Sequence, residues 1–319
     1  MIRSSDIVRL IHHHFPKAEV HSIEDRGTWV RRIFYVTMKN GGRLVVKFHV
    51  VKDWLDSTIH EKMVSDILKA SKMPYEQILV ADASGKLIEY PYLILVAGRG
   101  KRLDLLMKEL TQEEMLPVYE AVGRYYAQLH QIRGPQSGVW LENPLEVFPT
   151  SPTEYMLENE IRHGSTEQMV QSGLIAEIQQ QRMVELWEKN IDFLQDHTPV
   201  MVHSSPFPWA IYLEKNETNF WQVSRTSALG DTMWWDAAYD LSFLIHPPFT
   251  WMFDDWRDAF WQGYGQRADA GRLMLYRLLQ IPCAINDVYM QPDSEQNEAW
   301  KQHALDELPQ LIVALENRF

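Results

Sequence analysis

The hydrophobic period of the chain passes from mostly two to mostly helical near residue 100, and that shift restricts the fold more than any other feature. Between Val20 and Val51 apolar and polar residues alternate with period two, in Trp29-Val30-Arg31-Arg32-Ile33-Phe34-Tyr35-Val36-Thr37 and in Arg43-Leu44-Val45-Val46-Lys47-Phe48-His49-Val50. Both runs are rich in β-branched and aromatic residues, as strands are. Lys39-Asn40-Gly41-Gly42 between them is a hairpin signal, because Asn and Gly tolerate the positive φ of a tight turn. Beyond Gly98-Arg99-Gly100 the period becomes helical. Strands first and helices after give an α+β chain: a small antiparallel-sheet lobe over residues 1–97 and a larger, mainly helical lobe over 98–319.

Local signals fill in this plan. Ser5 and Asp6 ahead of Ile7, Leu10 and Ile11 predict a capped opening helix. His12-His13-His14 is a solvated end of that helix, with metal binding or a tag remnant as the alternatives. Glu24-Asp25-Arg26-Gly27-Thr28 is a polar loop. A helix over Ser57–Ala70 carries Ile59, Met63, Ile67 and Ala70 on one stripe. Strands over Gln77–Ala81 and Tyr92–Val96 follow, with a turn at Asp82-Ala83-Ser84-Gly85. In the second lobe Thr111-Gln112-Glu113-Glu114 is a capping box, and Leu116, Tyr119, Val122, Tyr126 and Leu129 repeat at helical spacing up to His130. Further helices are expected over Ile175–His197, from Trp256 through Phe260 and Tyr264, over Gly271–Leu279 and at the C-terminus to Phe319. Val200–His203, Ala210–Leu213 and Phe220–Val223 form a strand-like island, and Pro144, Pro149 and Pro152 mark a connecting loop.

Composition narrows the partners. The 319 residues carry 31 Lys and Arg against 43 Asp and Glu, a net charge of -12. That balance argues against nucleic acid or an anionic membrane, both of which need a concentrated basic surface. Cys283 is the single cysteine, so neither an intrachain disulfide nor a Cys-based zinc site can form. No apolar run approaches the roughly 20 residues that span a bilayer, and Met1-Ile2-Arg3-Ser4-Ser5-Asp6 lacks an apolar signal region. The expectation is a soluble cytoplasmic protein with a small-molecule or protein partner.

Several segments resemble, in order, the aminoglycoside phosphotransferase and choline kinase superfamily. Val45-Val46-Lys47-Phe48 resembles the strand with its ATP-binding lysine, and Tyr92-Leu93-Ile94-Leu95-Val96-Ala97-Gly98 its hinge. Val122-Gly123-Arg124-Tyr125-Tyr126-Ala127-Gln128-Leu129-His130 resembles its LGxxLAxLH helix. Trp235-Asp236-Ala237-Ala238-Tyr239-Asp240-Leu241 is similar to its GDPAYDL segment, and Phe260-Trp261-Gln262-Gly263-Tyr264 to its FxxGY helix. The similarity spans roughly residues 20 to 270 and implies a protein-kinase-like two-lobe fold. It implies ATP or another nucleotide as cofactor, with Lys47 on the phosphates and Glu61 paired to it.

The chemistry departs from that pattern. The family loop H-G-D-x-x-x-x-N corresponds to His203-Ser204-Ser205-Pro206-Phe207-Pro208-Trp209-Ala210, so Ser205 replaces the catalytic Asp and Ala210 the metal-binding Asn. Counting back from Asp236 puts Ala228 in place of the magnesium-binding Asp. Magnesium wants oxygen ligands, usually carboxylates with phosphate, and alanine offers none. A serine hydroxyl is too weak a base at neutral pH to replace a carboxylate. The resemblance thus implies a pseudokinase that binds a ligand or regulates, with magnesium argued against. An alternative is an active aminoglycoside-, choline- or homoserine-type kinase whose metal site is rebuilt on Asp231 and Glu214. A third is a partner-binding scaffold whose nucleotide cleft is filled by Phe207 and Trp209.

Individual residues keep a plainer reading beside the functional one. Lys47 is either a phosphate ligand, a brace paired to Glu61, or a lysine on an exposed strand face. His203 props the loop by hydrogen bonding, and Asp236 and Asp240 cap or tie helices. Asp231 is either a metal ligand or a solvated turn residue after Gly230. Trp234, Trp235, Trp251, Trp256 and Trp261 are core or binding anchors, and Asp254, Asp255 and Asp258 a cation site or a solvated helix face.

Overall fold

The computed structural model describes residues 2–27, 31–50, 57–140, 145–148, 150–247, 252–289 and 295–319. The expectations on Thr28, Trp29, Val30, Val51, Pro144, Pro149 and Trp251 lie outside them. The chain divides into two compact units: Met1–Arg102 with Ile211–Lys215 and Val223–Asp231, and Leu103–Ala210 with Asn216–Gln222 and Thr232–Phe319.

The first unit is built on a five-stranded antiparallel sheet. Its strands are β1 (Val20–Asp25), β2 (Arg31–Met38), β3 (Arg43–His49), β4 (Ile78–Asp82) and β5 (Tyr92–Val96), in the order β1-β2-β3-β5-β4. The turn between β2 and β3 has Gly41 at φ +83°, the left-handed region the Asn-Gly signal anticipates. Helix α1 (Ser4–His14) buries Ile7, Leu10 and Ile11 in one cluster with Phe34, Val46 and Phe48. Its cap differs from the expected one. Arg3 is the N-cap, and Asp6 reaches back from the third helical position to accept from the Arg3 N–H at 3.0 Å. Val45, Ile78, Leu93 and Leu95 form a separate cluster. Because β3 contributes to both clusters, none of Val45 to His49 is exposed, and the exposed-face reading of Lys47 is corrected.

Helix α2 (Ser57–Ala70) has the expected bounds but not the expected face. Ile59 is 41% exposed, whereas Glu61, Val64 and Leu68 are buried. The helix turns toward the sheet the face that carries the partner of Lys47, and the apolar stripe read from spacing is displaced from it. A second sheet runs β6-β8-β9, from Lys101–Arg102 (β6), Ile211–Lys215 (β8) and Trp221–Thr226 (β9).

The second unit is mainly helical. It contains α3 (Leu103–Glu109), α4 (Gln112–Leu129), α5 (Pro152–Met156), a π-helical turn (Leu157–Arg162) and α6 (Ser165–Gln171). Next come α7 (Glu177–Lys189), α8 (Ile191–Gln195), a two-stranded sheet of β7 (Val200–Val202) and β10 (Met233–Trp235), and α9 (Ala237–Ile245). Helices α10 (Asp254–Tyr264), α11 (Ala270–Tyr289) and α12 (Glu295–Arg318) complete it. Thr111 caps α4 as its motif predicts, accepting from the Glu114 N–H at 3.3 Å while Glu114 accepts from the Thr111 N–H at 2.9 Å.

Three expectations change here. The helix expected over 175–197 is interrupted at Asn190, whose side-chain amide donates back to Leu186 O at 2.8 Å and closes α7. Pro152 starts α5 instead of sitting in a loop, which suits a residue with no N–H to leave orphaned. The strand island splits, because β7 pairs with β10 and not with β8 or β9. Trp234, Trp235, Trp256 and Trp261 are all buried, as core residues. No helix among the described residues is long and apolar enough to cross a membrane.

Helices α4 and α10 cross closely. A Cβ on Gly123 would lie 2.1 Å from the Phe260 carbonyl oxygen, and one on Gly263 2.0 Å from that of Glu120. Backbone cannot yield as a side-chain end can, so only glycine fits either position. Gly123→Ala or Gly263→Ala is expected to cost about 1–3 kcal/mol in urea unfolding, because overpacking forces the helices apart.

Candidate functional site

The sequence-predicted residues fall into two groups, one in each unit. In the first unit β3 and α2 bring Lys47 and Glu61 together, with Nζ 2.5 Å from Oε1 and side chains 10% and 1% exposed. His49, next on the same strand face, places Nε2 3.6 Å from the same oxygen. The pairing expected from the resemblance is therefore present as a buried ion pair.

Beside it stands a second ion pair that sequence reasoning missed. Arg225 on β9 pairs with Glu76, which is buried ahead of β4. The Arg225 guanidinium lies 3.4 Å from the centre of the Tyr212 ring. Its side chain also fills the space over Gly98, where a Cβ would meet Nε at 2.1 Å. Burial pushes the Glu76 carboxyl above its ordinary value, against the pull of Arg225 and Lys47. No local motif announces this pair, since its members are 149 residues apart. A lone Arg in a strand otherwise reads as solvent-facing.

The loop matched to the family's metal site belongs to the same unit. Ala228 adopts φ +61°, and the 3-10 turn Leu229–Asp231 that follows packs against α2. Asp231 is exposed. Among the described residues no group of three or more His, Cys, Asp or Glu is placed to hold a metal ion.

In the second unit the loop after β7 is held by Asp240 on α9, whose side chain is fully buried. Its Oδ2 accepts from the His203 N–H at 2.7 Å and its Oδ1 from the Ser204 N–H at 2.9 Å. His130 Nε2 lies 3.2 Å from Oδ2, and its Nδ1 3.0 Å from the Tyr264 hydroxyl. His203 Nδ1 accepts from the Ser205 N–H at 3.3 Å, a local prop of the expected kind. Three of the motifs that carry the resemblance, around His130, Asp240 and Tyr264, thus converge on the loop at His203. Ser204, at the glycine of H-G-D, has φ +67°, the conformation that glycine favours. Its hydroxyl is buried without a partner among the described residues.

Asp236 caps α9 through the Ala238 N–H at 2.9 Å and binds Arg272 at 2.8 Å, so it ties helices as expected. Ala210 ends a 3-10 turn and is fully buried. Phe207 and Trp209 stack at 4.3 Å and pack on the core of their own unit. Asp254 and Asp258 pair with Arg257 and Arg267 on an exposed helix face, and Asp255 accepts from Gln112 at 3.2 Å.

Two stability measurements test these assignments. Lys47→Met strands a buried carboxylate and is expected to cost about 3–5 kcal/mol, while Lys47→Met combined with Glu61→Leu costs less than either single change. A double-mutant cycle by urea unfolding reads this directly, and additive losses refute the pairing. Ser204→Gly is expected to stabilise by about 1 kcal/mol, by relieving the left-handed backbone and removing the unpartnered hydroxyl.

No protein-family model and no curated protein matches the chain. Solved structures do. The GDP complex of an aminoglycoside 2'-phosphotransferase-IIIa matches with a TM-score of 0.64 at 12% identity, covering 100% of both chains. A fructosamine-3-kinase homologue from Thermobifida fusca matches with a TM-score of 0.62 at 14% identity over 97% of this chain and 99% of that one. A macrolide 2'-phosphotransferase from Brachybacterium faecium gives 0.58 at 15% identity over 94% and 98%. The likeness runs the length of the chain, and its fold is that of the aminoglycoside phosphotransferases and related protein-kinase-like enzymes.

Proposed function

We propose that the protein is an aminoglycoside-phosphotransferase-like pseudokinase, a ligand-binding or regulatory module that does not transfer phosphate. The observation that carries this reading is the joint replacement of the family's catalytic Asp by Ser205 and of its two metal ligands by Ala210 and Ala228. Phosphoryl transfer is mostly positioning and charge neutralisation, with metal ions bridging the phosphates and an acidic group orienting the nucleophile. Losing one of these groups leaves a slow enzyme. Losing all three removes the base and the metal together. The side chains present do not fit magnesium: two methyl groups occupy its ligand positions, and Asp231 is a single exposed carboxylate.

A nucleotide remains the small molecule that the retained parts favour. Similar structures are GDP, ADP or ATP complexes, and Lys47 keeps the Glu61 partner that orients it. Two features weaken phosphate binding at Lys47. Glu61 already neutralises its ammonium, and Glu76 adds a second carboxylate to its surroundings. On this reading Lys47 and Glu61 brace the sheet against α2, and any nucleotide is sensed and not consumed.

Thermal-shift titration with ATP and ADP, each with and without magnesium, tests the proposal alongside an assay of ADP release over a panel of aminoglycosides, choline and homoserine. The expected result is no ADP release and no stabilisation that requires magnesium. A saturating ligand at about 100 times its Kd adds about 2.7 kcal/mol, enough to register as a clear shift. A magnesium-dependent shift that Asp231→Ala abolishes would overturn the proposal in favour of an active kinase with a rebuilt metal site.

A further inference from the structure

A cavity of about 660 Å³ lies among α9, α10, α11 and α12, wholly within the second unit. It shares no residue with Lys47, Ser205, Ala210, Ala228 or Asp231, so its occupation does not depend on whether phosphate is transferred. Its volume falls in the range of small-molecule sites.

The inner wall is built on the C-terminus of α9, whose last carbonyls have no partner inside the helix. Arg257 Nε donates to the Ile245 carbonyl oxygen at 3.0 Å, and Arg277 Nη1 to that of His246 at 3.0 Å. Arg277 also holds Glu307 with two bonds, at 3.2 and 2.9 Å, and Arg257 bonds Asp254. A guanidinium has five N–H groups. Both arginines therefore keep donors that no described residue engages. His246 lines the same space. Burial, and then the nearby Arg277 and Arg257, lower its imidazole to about 3 against the smaller pull of Glu307, so the ring is neutral.

Three acids line the cavity with its three arginines, and they differ in how far solvent reaches them. Asp254 and Asp258 stand at the rim with side chains 92% and 66% exposed, and Asp258 is already paired with Arg267. Each inner guanidinium has one acidic partner, Asp254 on Arg257 and Glu307 on Arg277, and the two arginine side chains are 31% and 6% exposed. Screening by water weakens the rim charges far more than the inner ones. The inner wall thus carries two guanidiniums with donors to spare, and the acid on Arg257 is the one most weakened by solvent. Trp261, Leu273, Met274 and Leu311 make the remaining wall apolar.

We propose that this cavity binds a small amphipathic carboxylic acid. The carboxylate is received by the free donors of Arg257 and Arg277 beside His246, and the apolar body lies against Trp261, Met274 and Leu311. Carboxylate on guanidinium is a charge-assisted and often bidentate contact, which sets the direction of the ligand.

Calorimetric titration of the full chain with 1-naphthylacetate, its neutral amide 1-naphthylacetamide, and inorganic phosphate tests this. The acid is expected to bind saturably, with the amide and phosphate at least tenfold weaker. Arg257→Gln is expected to weaken the acid at least tenfold. Because that residue also caps α9 and its loss frees the helix end, Met274→Trp serves as the second variant. It fills the cavity from the apolar wall, leaves the arginines intact, and is expected to cause the same loss with the melting temperature maintained. Equal binding of acid and amide, phosphate binding as tight as the acid, or acid binding that survives Met274→Trp overturns the proposal, as does no saturable binding of the acid.

Discussion

The carboxylate of Asp240 holds the second unit together at its most exacting point. It is fully buried and accepts from two successive backbone N–H groups, those of His203 and Ser204, with His130 against one oxygen. A buried charge without such partners costs several kcal/mol, so the loop backbone is obliged to present both donors. That obligation explains the left-handed φ at Ser204, a conformation that serine does not choose. It also links distant helices. His130 ends α4 and bonds Tyr264 at the end of α10, and the two helices can close to that distance only because Gly123 and Gly263 carry no side chain.

Asp240 grips the loop through main-chain N–H groups, so its hold does not depend on which side chains the loop carries. The backbone of the loop is held from behind by Asp240, and from within by the Ser205 N–H on His203 Nδ1. In the first unit two ion pairs tie strands to their surroundings. Lys47 and Glu61 lock β3 to α2, Arg225 and Glu76 lock β9 to the approach of β4, and Ala228 takes part in neither pair. The kinase-like fold is kept at 12–15% identity to its structural neighbours.

Much of this is legible in the sequence. The hairpin at Asn40-Gly41, the bounds of α2 and β5 and the capping box at Thr111 depend on neighbours in sequence, where turn chemistry and caps act. The capping and tying roles of Asp236 and Asp240 came from a short motif with a local structural meaning. Spacing failed on α2, because the face turned inward carries Glu61 together with Val64 and Leu68 and not the stripe of Ile59. It failed again on the helix over 175–197, since a single Asn190 back-bond ends α7 without any Gly or Pro to announce it.

The sequence by itself determined the order of strands and helices, the absence of a carboxylate at position 205 and of any ligand oxygen at 210 and 228, and the residues through which the resemblance is read. These are properties of residue identity and near-neighbour spacing. Only the tertiary structure decided that Lys47 is buried, that Arg225 reaches Glu76 and lies over Gly98, and that Arg257 and Arg277 meet at the end of α9. Such pairings join residues far apart in the chain. Their strength depends on how much water is excluded around them, and that exclusion exists only once the layers have packed.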